Sequence, residues 1–138
     1  MRVFVLDDDM ERINWFKENW ENVYYAHDPI EAEKMLREND YDVVWLDHDL
    51  AGPDKPYQRG PQGNGIDLAK IMAKDRLYIS TPIIVHSLNY YGAENILMTL
   101  RNTHSSLFKI DFVTLRKMKI DEISVVIEQK LKPFYRGD

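Results

Sequence analysis

The chain has 138 residues, 44% of them apolar and 30% charged, and no cysteine. That is one domain with enough apolar mass for a core of its own, and it excludes disulfides and thiolate metal sites. The net charge of −5 is lopsided: residues 1–50 hold 14 acids against 5 bases, whereas residues 101–138 hold 5 against 8, so no stable nucleic-acid complex is expected and a cation-collecting site is favoured.

The opening run "VFVL" (3–6) is continuously apolar, as a strand covered on both faces must be. It is too short for a signal peptide or a membrane span, so no membrane contact and a cytoplasmic location are expected. Ile13, Phe16 and Trp20 fall at helical spacing over 10–20, with Asp9 placed to cap that helix. "NVYYA" (22–26) reads as a second strand. In the following segment Asp28 is an N-cap, Pro29 sits in the first turn and Glu31 completes a capping box. "DVVWL" (42–46) is a third strand. A Gly/Pro-rich stretch, "AGPDKPYQRGPQGNG" (51–65), carries Lys55, Tyr57 and Arg59, and a loop of that length in a small domain is usually functional or mobile. Ile66, Ala69 and Ala73 mark a helix after Gly65. "PIIV" (82–85) is a fourth strand, and Ala93, Ile96, Leu97 and Leu100 stripe a fourth helix. A fifth strand is expected within "LFKIDFV" (107–113), and Ile123, Val126 and Ile127 mark a last helix.

Five strands alternating with five helices predict a single α/β domain spanning 1–138, a (βα)5 flavodoxin-like three-layer sandwich with a parallel sheet in the order 2-1-3-4-5. Ligands of such sheets bind beyond the carboxyl ends of the strands, near the switch in strand order. The first strand ends in Asp7, Asp8 and Asp9, the third in Asp47, His48 and Asp49, and the fourth in His86, Ser87 and Asn89. The fifth is expected to end near Thr114, Arg116 and Lys117. The first, third and fourth tips share one crevice. Carboxylates crowded there need a cation, and hard oxygen ligands suit Mg²⁺ or Mn²⁺ held by Asp7, Asp8 and Asp47. Asp49 is expected to offer backbone or a solvated face.

"VFVLDDD", "YDVVWLDHDL" and "TPIIVHS" resemble a receiver domain, the phosphoacceptor module of two-component signalling, over nearly the whole chain. "LDHDL", "GIDLA" and "VHS" followed by Asn resemble more closely a divergent branch, the cyclic-phosphate-processing receiver-like family. The resemblance implies that Asp7 and Asp8 hold the metal, that Asp47 is the nucleophile and that Ser87 contacts a phosphoryl group. The face of the fourth helix, fifth strand and fifth helix is the one receivers often use to pair, so the resemblance allows a homodimer, though nothing in the sequence demands it. The lysine that ends strand 5 in receivers is missing. Leu115 stands in its expected place, and "LKPF" (131–134) falls too late to supply it.

Three functions remain open. One is metal-dependent hydrolysis or processing of a small-molecule phosphate, such as a cyclic nucleotide. There Asp47, His48 and His86 form the catalytic set. Ser87, Asn89, Lys55 and Arg59 hold the phosphate, and Tyr57, Tyr90 or Tyr91 stacks on a base. The second is a stand-alone phosphoacceptor in signalling. The third is a nucleotide-sequestering protein without turnover.

Overall fold

In the computed structural model, which describes residues 1–131 with the exception of Pro56, the chain runs β1 (Arg2–Leu6), α1 (Met10–Asn19), β2 (Asn22–Ala26), α2 (Pro29–Glu38), β3 (Val43–Leu46), α3 (Gly65–Asp75), β4 (Ile83–Val85), α4 (Tyr90–Leu100), β5 (Leu107–Lys109), α5 (Phe112–Lys117) and α6 (Ile120–Leu131). All pairings are parallel and the sheet order is β2-β1-β3-β4-β5, as the sequence predicts. The uninterrupted apolar runs have their cause in this arrangement, because a parallel strand lies between two helical layers and must be apolar on both faces. Alternate residues serve the two sides. Phe4, Leu6, Val44, Leu46, Ile83 and Val85 pack against α2, α3 and α4. Val3, Val5, Val43, Trp45, Ile84 and Phe108 pack against α1, α5 and α6. Among the described residues no helix is long and apolar enough to cross a membrane.

The caps foreseen at Asp9 and Asp28 are present. Each carboxylate accepts a first-turn N–H, from Glu11 and Glu31 respectively, at 2.9 Å. The face that α3 buries is Leu68, Ala69 and Met72, with Ile66 and Ala73 only at its margin.

The C-terminal third departs from expectation. Strand β5 stops at Lys109, and Phe112 opens a sixth helix, α5, because Asp111 caps it by accepting the Thr114 N–H at 2.9 Å. Leu115 is therefore no strand-tip residue but a fully buried contact on α5. Thr114, Arg116 and Lys117 lie on the same short helix. "LKPF" lies outside the described residues apart from Leu131, where α6 ends.

Register sets up the site. Leu6, Leu46 and Val85 are level across β1, β3 and β4. The next residue of each strand is bonded to its neighbour, Asp47 N–H to Leu6 O and His86 N–H to Leu46 O, both at 3.0 Å. Asp7, Asp47 and His86 thus form one row at the sheet's edge.

At the opposite end of the sheet His104 is buried, its Nε2–H donating to Leu77 O at 2.6 Å and its Nδ1 facing the Thr103 hydroxyl at 2.7 Å. Burial, outweighing the hydrogen bonds to Leu77 and Leu100, pushes its pKa below the usual histidine value. The unfolded chain therefore binds a proton more readily than the native one. The stability this imidazole contributes is present above pH ~6.5 and is lost as pH falls toward its native pKa. Urea titrations between pH 7 and pH 5 are expected to show a shallower loss in His104→Gln than in the parent, and identical slopes would remove this assignment.

Candidate functional site

The row of strand tips is closed by groups from three elements. Asp7 is fully buried. Its Oδ1 accepts the Asp9 N–H at 2.9 Å, and its Oδ2 faces His86 Nε2 at 2.8 Å. The other ring nitrogen, Nδ1, is buried without a hydrogen-bond partner among the described residues. The rings of Phe16, Trp45 and Phe112 surround this imidazole, with centroids 5.3–6.5 Å away. Asp47 is 4% exposed and accepts the His48 N–H at 2.9 Å. Asp8 accepts the Gly52 N–H at 2.6 Å, which ties the long loop to the first strand tip.

The residue that completes this arrangement is Arg12. Its guanidinium grips Asp7 with two N–H groups, Nε to Oδ2 at 2.9 Å and Nη2 to Oδ1 at 3.0 Å. The same Nη2 reaches Asp47 Oδ2 at 3.3 Å and Asp8 Oδ1 at 3.5 Å. The sequence reading passed Arg12 over, although the signal was there. A helical side chain leans toward the helix N-terminus, so a basic residue in the first turn after "DDD" reaches back over the acids.

The local charges follow from burial and neighbours. Burial raises the Asp7 pKa, but the hydrogen bonds and charges of His86 and Arg12 together outweigh it, and Asp7 is held below the usual carboxylate range. Asp47 is pushed well above that range by burial first and by the Asp7 charge second, with Arg12 only partly offsetting them. Asp8 is raised by burial, against the hydrogen bond from Gly52. Arg12 is held more firmly charged than usual, burial being outweighed by Asp7 and by the other carboxylates.

One oxygen from each of Asp7, Asp8 and Asp47 lies within 4.8 Å of the others. Such a set of hard donors suits Mg²⁺ or Mn²⁺, and it is the set the sequence picked out. A cavity of about 150 Å³ opens over these groups, walled by Asp8, Arg12, Asp47, Asp49, Ser87 and Asn89. Asn89 caps α4 by accepting the Gly92 N–H at 3.0 Å, which brings the positive end of that helix to the cavity wall. The Ser87 hydroxyl oxygen accepts the Asn89 N–H at 3.0 Å, so its own proton is free to donate.

The other candidates are dispersed. His48 presses its ring onto Gly92, where an added Cβ would stand 2.4 Å from the ring, and its Nδ1 is 2.7 Å from Asp49 Oδ1. His86 is shut behind Asp7. Neither imidazole lines the cavity. Arg59 is two-thirds exposed and pairs with Asp67 at 3.1 Å, and Lys55 is exposed in a turn of the loop. Asp49 is more than a solvated face. It also accepts from Asn89 Nδ2 at 3.0 Å and from the Tyr57 N–H at 3.1 Å, and these bonds, with that to His48, outweigh burial and lower its pKa.

Comparison with known proteins decides the family. The model described as "Cyclic-phosphate processing Receiver domain" matches residues 1–102, about three quarters of the chain. The chain belongs to this family. No curated protein matches it. Among solved structures, the Francisella response regulator 1452 receiver domain is 27% identical, with 94% of this chain and 95% of that one covered and a TM-score of 0.59. A sensor protein from Polaromonas sp. JS666 is 15% identical, with 94% of each chain covered and a TM-score of 0.67. The Thermotoga maritima response regulator TrrA, in complex with Mg(2+)-BeF, is 18% identical, with 94% and 97% covered and a TM-score of 0.64. In the present receiver no lysine comes to the acids from strand β5. Lys109 at its end is exposed, bonded to Glu94 at 2.6 Å and lying over the Tyr90 ring. The cation facing Asp7 and Asp47 comes instead from helix α1, as Arg12.

Proposed function

We propose that this receiver accepts a phosphoryl group on Asp47, with Asp7, Asp8 and Asp47 holding one Mg²⁺ or Mn²⁺. The observation that carries the reading is the small cavity over Asp47. At about 150 Å³ it has room for a phosphoryl group, whereas pockets that enclose drug-sized ligands run to roughly 300–1,000 Å³. When bound, a hard divalent cation at the three carboxylates supplies the positive charge that lets an anion lie among them. The protein's own groups do the rest. An Asp47 oxygen attacks phosphorus while the bond to the donor's leaving oxygen breaks. The Ser87 hydroxyl donates to a phosphoryl oxygen, and the positive end of α4 adds its field.

The test uses acetyl phosphate and Mg²⁺. Intact mass is expected to rise by one phosphoryl group, with acetate released and the adduct labile to base. An unchanged mass sinks the reading.

The family's description favours a second reading, the processing of a cyclic phosphate ester. The site offers it less support, because neither imidazole is part of the cavity wall. A panel of 2′,3′- and 3′,5′-cyclic nucleotides with Mg²⁺ or Mn²⁺ separates the two. Ring-opened product without an Asp47 adduct favours processing. Nucleotide recovered intact but bound favours sequestration.

A further inference from the structure

We propose that Arg12 is an internal competitor of the divalent cation: guanidinium and ion take the same oxygens of Asp7, Asp8 and Asp47 in turn, and ion binding moves Arg12 into the neighbouring groove. The inference rests on the cation site proposed above and adds to it a two-position side chain. The three carboxylates that bring one oxygen each within 4.8 Å of the others are the three that Arg12 already holds or approaches, at 3.0, 3.3 and 3.5 Å from a single Nη2 atom. Two cations on these carboxylates oppose each other, because like charges at that spacing in a buried site repel strongly.

The side chain has somewhere to go. Arg12 lines not only the cavity over Asp47 but also a second groove of about 450 Å³ on its other side. That groove is walled by Asp9, Glu11, Glu18, Trp15 and Phe112. Three carboxylates and two aromatic rings suit a guanidinium. Arg12 already leans that way, with Nη1 3.8 Å from an Asp9 oxygen and Cζ 6.0 Å from the Phe112 ring centroid. Its side chain is 19% exposed and lines both cavities, so the proposed move is a rotation about side-chain bonds from one to the other. Arg116 also lines this groove, 5.9 Å from the same ring centroid. The three acids of the groove leave charge for both.

The device explains how the apoprotein tolerates its buried acids and predicts what removing the competitor does. Metal-free wild type and Arg12→Gln are titrated with Mg²⁺ and with Mn²⁺ by calorimetry. The wild type is also titrated with Mg²⁺ while the Arg12 Nε–Hε resonance is followed by ¹⁵N-edited NMR. The variant is expected to bind Mg²⁺ at least tenfold more tightly, because no occupant has to leave. In the wild type the Arg12 Hε signal is expected to leave its hydrogen-bonded position in proportion to ion occupancy. Equal affinities overturn the proposal, and so does saturation by Mg²⁺ with the Arg12 signal unmoved. If Arg12→Gln does not fold without the ion, the wild-type NMR titration decides alone. If neither protein binds an ion, this proposal and the cation site fall together. If the wild type binds Mg²⁺ with Arg12 released but takes no phosphoryl group, only the phosphoacceptor reading is lost.

Discussion

Asp47→Asn is expected to abolish phosphoryl uptake and at the same time to make the metal-free protein more stable. The first effect follows from chemistry, since an amide oxygen cannot form the acyl phosphate. The second follows from the buried environment. The native fold holds the Asp47 pKa well above the carboxylate range, through burial and the charge of Asp7. A raised carboxylate pKa means that at neutral pH the folded state penalises the ionised form relative to the unfolded chain. Asparagine keeps the acceptor that holds the His48 N–H at 2.9 Å and removes a charge from among Asp7 and Asp8, at the cost of the 3.3 Å contact from Arg12 Nη2 to Asp47 Oδ2. Arg12 keeps its two bonds to Asp7. Replacing the one carboxylate that the fold penalises by a neutral isostere is expected to stabilise by about 0.5–2 kcal/mol, the range common for relieving an unfavourable functional-site group. Urea unfolding in EDTA reads the stability, and intact mass after acetyl phosphate reads the chemistry. A variant that unfolds more easily contradicts the electrostatic account, and one that still gains a phosphoryl group removes Asp47 as acceptor. The combination matters because simple damage to the fold lowers both readouts, whereas a site that gives up stability for function separates them.

The legible parts of the fold were those with local causes. Strands β1, β3 and β4 announced themselves because parallel strands are apolar on both faces, and helices α1 and α2 because Asp9 and Asp28 cap them. The acid row could be foreseen from strand order alone. The boundary between β5 and α5 could not be read the same way, since Phe112 is equally apolar in a strand and in a helix. What decides it is Asp111 capping toward Thr114, a signal hidden within an apolar run. Arg12 was missed for a related reason. The apolar stripe of α1 draws attention to the buried face, and the polar residue in its first turn looks like ordinary surface. The orientation of His48 had no local cause to find. Its ring is set by Gly92, on a helix distant in sequence, and by Asn89 through the shared partner Asp49.

Gly65→Ala is expected to be among the most damaging single-methyl additions to this chain, and to act on the site as much as on stability. Gly65 is the first residue of α3, and its N–H bonds to His48 O at 2.8 Å. A Cβ built there stands 2.0 Å from the Asp47 carbonyl oxygen and 3.1 Å from the His48 Cα, both of them backbone atoms of the segment that presents the acceptor carboxylate. Helix propensity argues the other way, because alanine is favoured over glycine by up to about 1 kcal/mol. The clash wins. Overpacking typically costs about 1–3 kcal/mol even where side chains can yield, and here no side chain is available to yield. A net loss near or above 3 kcal/mol is expected in urea titrations, together with slower phosphoryl uptake as α3 pushes on the backbone of Asp47 and His48. Gly92→Ala is the instructive contrast. The three atoms nearest its Cβ all belong to the His48 ring, the closest at 2.4 Å, and a ring can rotate. That variant is expected to lose less stability, to free His48 from Asp49 and to leave Asp47 in place. Equal costs at the two positions contradict the distinction drawn here between backbone and side-chain obstruction, and a stabilised Gly65→Ala contradicts the close approach itself.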